Sequence, residues 1–213
     1  MYSSIINYLK ETLPGELPGE KAHLKMLPPG RRLKTSDDDI LSVKQSSVLV
    51  LLFPHEGRLC TCLTRRSNTM KHHPGQISFP GGMAEEGERS PEITALREAN
   101  EEVGINPEKV EILGYLSSLF VEVSGFRIYP CLAWADEKPE FTTNSDEVEE
   151  IILFPIGNFA ANEIINVTEV QTVTGILKVN YYPFEGNLIW GATAMIISEL
   201  VEILKAYHSI TVK

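Results

Sequence analysis

The apolar positions of this chain change period several times, and each change marks an element. In residues 3–12, with Leu13 just beyond, Ile5, Ile6, Leu9 and Leu13 recur at helical spacing, which predicts a short helix. Pro14-Gly15, Pro18-Gly19 and Pro28-Pro29-Gly30 then break any sustained period and predict a loop or extended arm. Asp37-Asp38-Asp39 reads as a solvated turn, and the compact domain begins near residue 43. Residues 48–53 form a continuous apolar run closed by Pro54, as in a buried strand. Glu56-Gly57 turns the chain into 58–64, whose alternation predicts a hairpin partner. A further helix is announced by its ends: Ser90 as N-cap, Pro91 at the first position, Glu92 in the first turn and Gly104 as the stop. Ile93, Leu96 and Val103 give it an apolar side, so it packs one face and presents an acidic one. Segments 112–121, 127–134 and 148–154 read as strands, and 167–174 with 175–183 as another hairpin. Met195, Ile196, Leu200, Ile203 and Leu204 make 190–207 the last helix. The expected fold class is α/β (α+β), a mixed β-sheet between helices. The expected domain spans 43–213, behind an N-terminal helix and a Pro/Gly-rich arm at 1–42.

Composition narrows the setting. At 213 residues and 43% hydrophobic, the chain buries one substantial core. No run approaches the roughly 18 apolar residues of a membrane span, so no membrane partner is expected. The start Met1-Tyr2-Ser3-Ser4 lacks the basic and apolar regions of a secretory signal. Three cysteines, an odd number, argue against a disulfide framework. Cys60 and Cys62 stand two apart on a strand with no Cys/His set nearby, which points to reduced thiols and a cytoplasmic setting. A net charge of −10 weighs against a nucleic-acid partner. It leaves room for an anionic small molecule, because local basic groups overrule the global field. Arg65, Arg66, Lys71, His72 and His73 are such a group, ahead of a Gly-rich turn, and Arg31, Arg32 and Lys34 are another.

The candidate chemistry lies just beyond that turn. Gly81-Gly82 leads into the helix that carries Glu98, Glu101 and Glu102 at i, i+3 and i+4. Like charges at these spacings repel. A divalent cation relieves the repulsion, and an all-oxygen set suits Mg²⁺ or Mn²⁺. A solvated acidic helix face accounts for the spacing equally well.

The run from Gly82 to Ile105 resembles the signature of the Nudix hydrolases: a Gly, five residues, Glu88, and an ending read here as Arg97-Glu98-Ala99-Asn100-Glu101-Glu102-Val103-Gly104. Eight residues separate Glu88 from Arg97, where the common pattern has one fewer. The longer form is similar to the branch that hydrolyses coenzyme A. That branch carries an upstream signature matched by Leu63-Thr64-Arg65-Arg66-Ser67, Gly75 and Phe79-Pro80-Gly81-Gly82, with Cys62 and Lys71 as substitutions. Glu147-Val148 and Trp190-Gly191 with Thr193-Ala194 also resemble it.

The resemblance implies a Nudix fold with a loop-helix-loop catalytic motif and metal-dependent cleavage of the diphosphate of coenzyme A or an acyl derivative. Adenosine 3′,5′-bisphosphate and 4′-phosphopantetheine would be the products. It implies Mg²⁺ or Mn²⁺ held by Glu98, Glu101, Glu102 and the carbonyl of Gly81, with Gly82 leaving room for metal and phosphate. It implies Arg97 as the group that holds Glu88 or Glu98 in place. The general base is a motif Glu or an acid from another loop, where Glu147 ranks above Glu149, Glu150 and Glu122. Arg65, Arg66 and Lys71 would grip the substrate's phosphates. Another nucleoside diphosphate derivative (ADP-ribose, a dinucleotide, a nucleoside triphosphate) is the alternative substrate. A non-catalytic sensor is the alternative role, against which the intact Arg97-Glu98 and Glu101-Glu102 pairs count. Residues 1–42 lie outside the resemblance; they pack on the domain, cover the site or mediate a homodimer, and the sequence leaves the three open.

Overall fold

The structure is a computed structural model that describes residues 2–31, 43–69, 74–172 and 175–211. Its spine is β1 (Lys44–His55), whose stretch 48–53 reads as an unbroken apolar run because both faces of the strand are covered there. Leu49, Leu51 and Phe53 face a cluster with Cys60, Cys62, Cys131, Ala95, Ala99 and Val103. Val50 and Leu52 face the other way, toward Leu63, Leu132, Leu200 and Leu204. The turn at Glu56-Gly57, both at positive φ (49° and 73°), returns the chain as β2 (Arg58–Arg66), antiparallel to β1 with Phe53 opposite Cys60. Such a two-residue turn matches the natural twist of a hairpin.

On the far side of β1 lies β7 (Phe126–Trp134), parallel to it from Lys44↔Phe126 to Leu52↔Trp134. With β3 (Ile77–Ser78), β4 (Gly81–Met83), β5 (Glu111–Tyr115), β6 (Leu119–Val121) and β8 (Val148–Phe154), these strands make one mixed sheet. Its order is β3-β2-β1-β7-β5, with β4 on β1, β6 on β7 and β8 on β2. A second, three-stranded sheet runs β11 (Asn187–Ile189), β10 (Gly175–Phe184), β9 (Asn166–Thr172). Helix α3 (Pro91–Val103) covers one face of the main sheet, and α1 (Ser3–Thr12) and α5 (Gly191–Thr211) join the core on the other. The expected mixed sheet between helices is therefore what the chain forms.

The chain departs from these expectations at five places. The arm contains a helix, α2 (Gly19–Leu24), because Glu199 of α5 receives the Gly19 N–H and the His23 ring and so holds the segment down. The strand expected at 112–121 is cut into β5 and β6 at Ser117, whose N–H and hydroxyl also turn to Glu199. Gly104 ends α3 in the left-handed region at φ 72°, as expected, whereas the Ser90 hydroxyl makes no cap bond. The buried stripe of α3 is Thr94, Ala95, Ala99, Glu102 and Val103, while Ile93 is 46% exposed. The acidic face is thus partly turned inward. Helix α4 (Ile156–Ala161) gave no sequence signal; it follows Pro155 and buries Ile156 and Phe159. All three cysteines are free and buried, and burial pushes their thiols upward, Cys131 to about 12.

Candidate active site

Two glycines let the motif close on itself. A Cβ on Gly81 would lie 2.3 Å from the Ser47 carbonyl oxygen and 2.6 Å from Val48 Cα, so only glycine lets β4 lie against β1 there. A Cβ on Gly82 would lie 2.5 Å from the carboxyl carbon of Glu98. The turn therefore presses backbone against carboxylate. The Gly81 N–H completes the contact by donating to Glu102 Oε2 at 3.1 Å.

Glu102 is only 3% exposed. Burial pushes its carboxyl up to about 7; the Gly81 N–H and Arg66 pull it down, and the charges of Glu98 and Glu147 add to the rise. Glu98 is also raised by burial, with Glu101 and Glu147 adding and Arg97 opposing. Arg66 Nη1 stands 3.7 Å from Glu102 Oε1, and its Nε is buried with no hydrogen-bond partner among the described residues. The Glu147 loop is laced to the end of α3. Asn144 N–H donates to the Glu102 carbonyl at 3.0 Å, and the Glu147 carbonyl accepts from Ser67 N–H at 2.8 Å.

Arg97 is the hub on the outer side. Its Nε donates to Glu88 Oε1 at 2.8 Å, its Nη1 meets Glu98 Oε1 at 2.8 Å and Glu101 Oε2 at 3.1 Å, and its Nη2 donates to the Met83 carbonyl at 3.1 Å. The guanidinium, foremost, holds the Glu88 carboxyl down at about 2, helped by Thr94 and the Glu85 N–H.

The structure therefore brings together Gly81, Gly82, Glu98, Glu102, Arg66 and Glu147. Glu101 stands apart on the Arg97 flank with 54% of its side chain exposed. Arg65 is tied away from Arg66 by a register shift between them; it donates to Glu150 Oε2 (3.1 and 3.0 Å) and to Asn187 Oδ1 (2.5 Å). Lys71 lies outside the described residues. Sequence reasoning did not single out Thr94 or Asn144. Thr94 had a signal, since it precedes Arg97 by one helical turn; Asn144, in a loop, had none.

Among the described residues, no three acidic, histidine or cysteine side chains stand ready-made around one point. Glu98 and Glu102 nevertheless offer oxygen donors only. They are raised by burial and by one another's neighbours, and Glu98 lies in a cradle that a Cβ at Gly82 would fill. This donor set fits a hard divalent cation in charge and in atom type.

The profile of the NUDIX domain matches residues 43–169. The chain belongs to the Nudix family. NudL of Pectobacterium atrosepticum, a Nudix hydrolase, is 37% identical over 74% of this chain and 81% of its own length. The mouse peroxisomal coenzyme A diphosphatase NUDT7 is 36% identical over 56% of this chain and half of its own length. Among solved structures, an Ap4A hydrolase of C. elegans aligns over 56% of this chain and 85% of its own, at 19% identity and a TM-score of 0.46. As a Nudix hydrolase, the protein acts on pyrophosphate bonds of small-molecule nucleoside diphosphate derivatives. Enzymes of the family generally need divalent cations. No helix among the described residues is long and apolar enough to cross a membrane.

Proposed function

We propose that this Nudix hydrolase cleaves the diphosphate of coenzyme A or its acyl derivatives, giving adenosine 3′,5′-bisphosphate and 4′-phosphopantetheine. The observation that carries the reading is Arg66. It belongs to the upstream signature and reaches Glu102, while its Nε has no partner among the described residues. A guanidinium so placed offers forked donors to a phosphate oxygen beside the reacting centre. The partial match to the mouse coenzyme A diphosphatase supports the same substrate.

Glu98 and Glu102, with Glu101 at their flank and the Gly81 backbone, would hold Mg²⁺ or Mn²⁺. The cation supplies charge neutralisation and a water of lowered pKa. Arg97 keeps Glu98 in place through its Nη1 contact. Glu147, whose charge both Glu98 and Glu102 feel, is the side chain we assign to accept the proton of the attacking water. Gly82 leaves open the backbone edge along which the diphosphate lies. Arg65, held by Glu150 and Asn187, and Lys71 would extend the phosphate grip outward. The three buried thiols suit a reducing compartment such as the cytoplasm.

Initial rates on coenzyme A, 3′-dephospho-coenzyme A and ADP-ribose, each with Mg²⁺ and with Mn²⁺, test the substrate. Coenzyme A is expected to be turned over with the highest kcat/KM. Equal or better turnover of ADP-ribose overturns the assignment and leaves a Nudix hydrolase of another nucleoside diphosphate.

A further inference from the structure

Thr94 is 1% exposed, on the same stripe of α3 as Arg97, Glu98 and Glu101, three, four and seven residues on. A buried threonine in a helix commonly returns its hydroxyl to the carbonyl four residues back. Here it does not. Thr94 Oγ1 donates to Glu88 Oε2 at 2.6 Å, the oxygen that also accepts the Glu85 N–H at 2.8 Å. The other oxygen, Oε1, takes Arg97 Nε at 2.8 Å. Each oxygen of the Glu88 carboxylate is thereby fastened to a different helical turn. Without the Thr94 hydroxyl, Oε2 would keep only the Glu85 N–H of its own loop, and nothing but Arg97 would tie the carboxylate to the helix.

We propose that Thr94 is a positioning residue for the hydrolysis: its hydroxyl fixes the plane of the Glu88 carboxylate, which aims Arg97, which in turn places the Glu98 carboxylate against Gly82. The chain of contacts is continuous. Arg97 Nη1 is shared between Glu98 at 2.8 Å and Glu101 at 3.1 Å, and Glu98 lies where a Cβ on Gly82 would come within 2.5 Å. An Arg97 head that turns by a fraction of an ångström changes which carboxylate it favours. Thr94, Glu88 and Ala84 also line a small cavity of about 80 Å³, together with Ser47 and Tyr129. On that side the loop has space to shift when the hydroxyl is lost.

The inference rests on the family's cation-dependent hydrolysis and is independent of which nucleoside diphosphate is cleaved. Three variants test it. Thr94→Val keeps the shape without the donor, Thr94→Ser keeps the donor, and Thr94→Ala, which the cavity tolerates, serves if the valine protein does not fold. Mn²⁺ affinity by calorimetry and amide exchange at residues 83–88 are read on the protein alone. kcat and KM are read on coenzyme A and on ADP-ribose. Thr94→Val or Thr94→Ala is expected to weaken Mn²⁺ binding about fivefold, speed exchange in the loop and lower kcat about tenfold with KM within twofold. Thr94→Ser is expected to restore all three. Unchanged Mn²⁺ affinity and kcat in Thr94→Val, or a serine variant no better than the valine, overturns the proposal. Wild type inactive on both substrates would refute the functional reading, while the Mn²⁺ and exchange measurements would still decide the role of Thr94.

Discussion

Glu102 is where activity and stability pull in opposite directions. Its carboxyl sits at about 7 in the fold against 4.5 in an open chain, chiefly because it is buried. A raised carboxyl contributes stability that is fully present below 4.5 and is lost as pH rises through 7. At pH 8 the metal-free protein therefore carries a buried, ionised carboxylate that it would be more stable without. Glu102→Gln is expected to melt at a higher temperature than wild type in EDTA at pH 8, with the gap closing by pH 5. The same variant is expected to lose about 10³-fold or more in kcat, roughly 4 kcal/mol of transition-state stabilisation. Adding Mn²⁺ should raise the melting temperature of wild type and leave the variant nearly unmoved. A variant with near-native turnover removes Glu102 from the metal site. Spacing showed that Glu98, Glu101 and Glu102 belong to one helix, but not which of them the turn would cover. That depended on Gly81 and Gly82 approaching the helix, and backbone approach leaves no periodic trace in a sequence.

At the scale of elements, the clearest case is the α2–α5 junction. Glu199 is fully buried, yet it accepts from Gly19 N–H (3.0 Å), Ser117 N–H (3.0 Å) and Ser117 Oγ (2.6 Å), and meets the His23 ring at 3.2 Å. Burial alone would push the carboxyl up; the bonds from His23, Ser117 and Gly19 outweigh it and hold the group below its ordinary value. A lowered carboxyl stabilises the fold above 4.5, and that contribution fades as pH falls through the folded value. Glu199→Ala, which strips their partner from the buried Gly19 N–H and His23 ring and from the two half-buried Ser117 donors, is expected to cost about 3–5 kcal/mol in denaturant unfolding at pH 7. The gap to wild type should narrow in acid; a constant gap from pH 7 to pH 3 contradicts an ionised Glu199. This junction also explains what the sequence hid. Helices α3 and α5 were legible because their periodicity and ends are local. Helix α2 has six residues between proline-glycine pairs, and the break at Ser117 falls inside an apolar run. Both are fixed by one carboxylate far along the chain, so nothing nearby in sequence announces them. Glu147 was legible only through the resemblance, since Asn144 and Ser67 bring it to the site rather than any spacing to Glu98.

For the molecule as a whole, the question is whether the family-matched region stands alone. The NUDIX profile spans 43–169, yet the face of the sheet opposite α3 is closed by segments on either side of it. Ile5, Ile6, Leu9, Leu13 and Met26 enter the same cluster as Leu200, Val201 and Leu204 of α5, with Leu9 and Met26 fully buried. Truncating one such side chain to alanine costs about 2–5 kcal/mol. Several lost together exceed the roughly 5–15 kcal/mol by which a domain is stable. Removal also strips Gly19 and His23 from the buried Glu199, leaving it Ser117 alone, and breaks the Lys25 contact with Glu202 at 2.7 Å. A chain beginning at residue 43 is therefore expected to lose cooperative thermal unfolding and to bind a hydrophobic dye. The carboxylates of α3 would be affected indirectly, since they lie on the sheet's other face. A truncated protein that melts cooperatively near the wild-type temperature would show instead that α1 and α2 are an accessory layer, and that the core of this Nudix hydrolase closes with α5 alone.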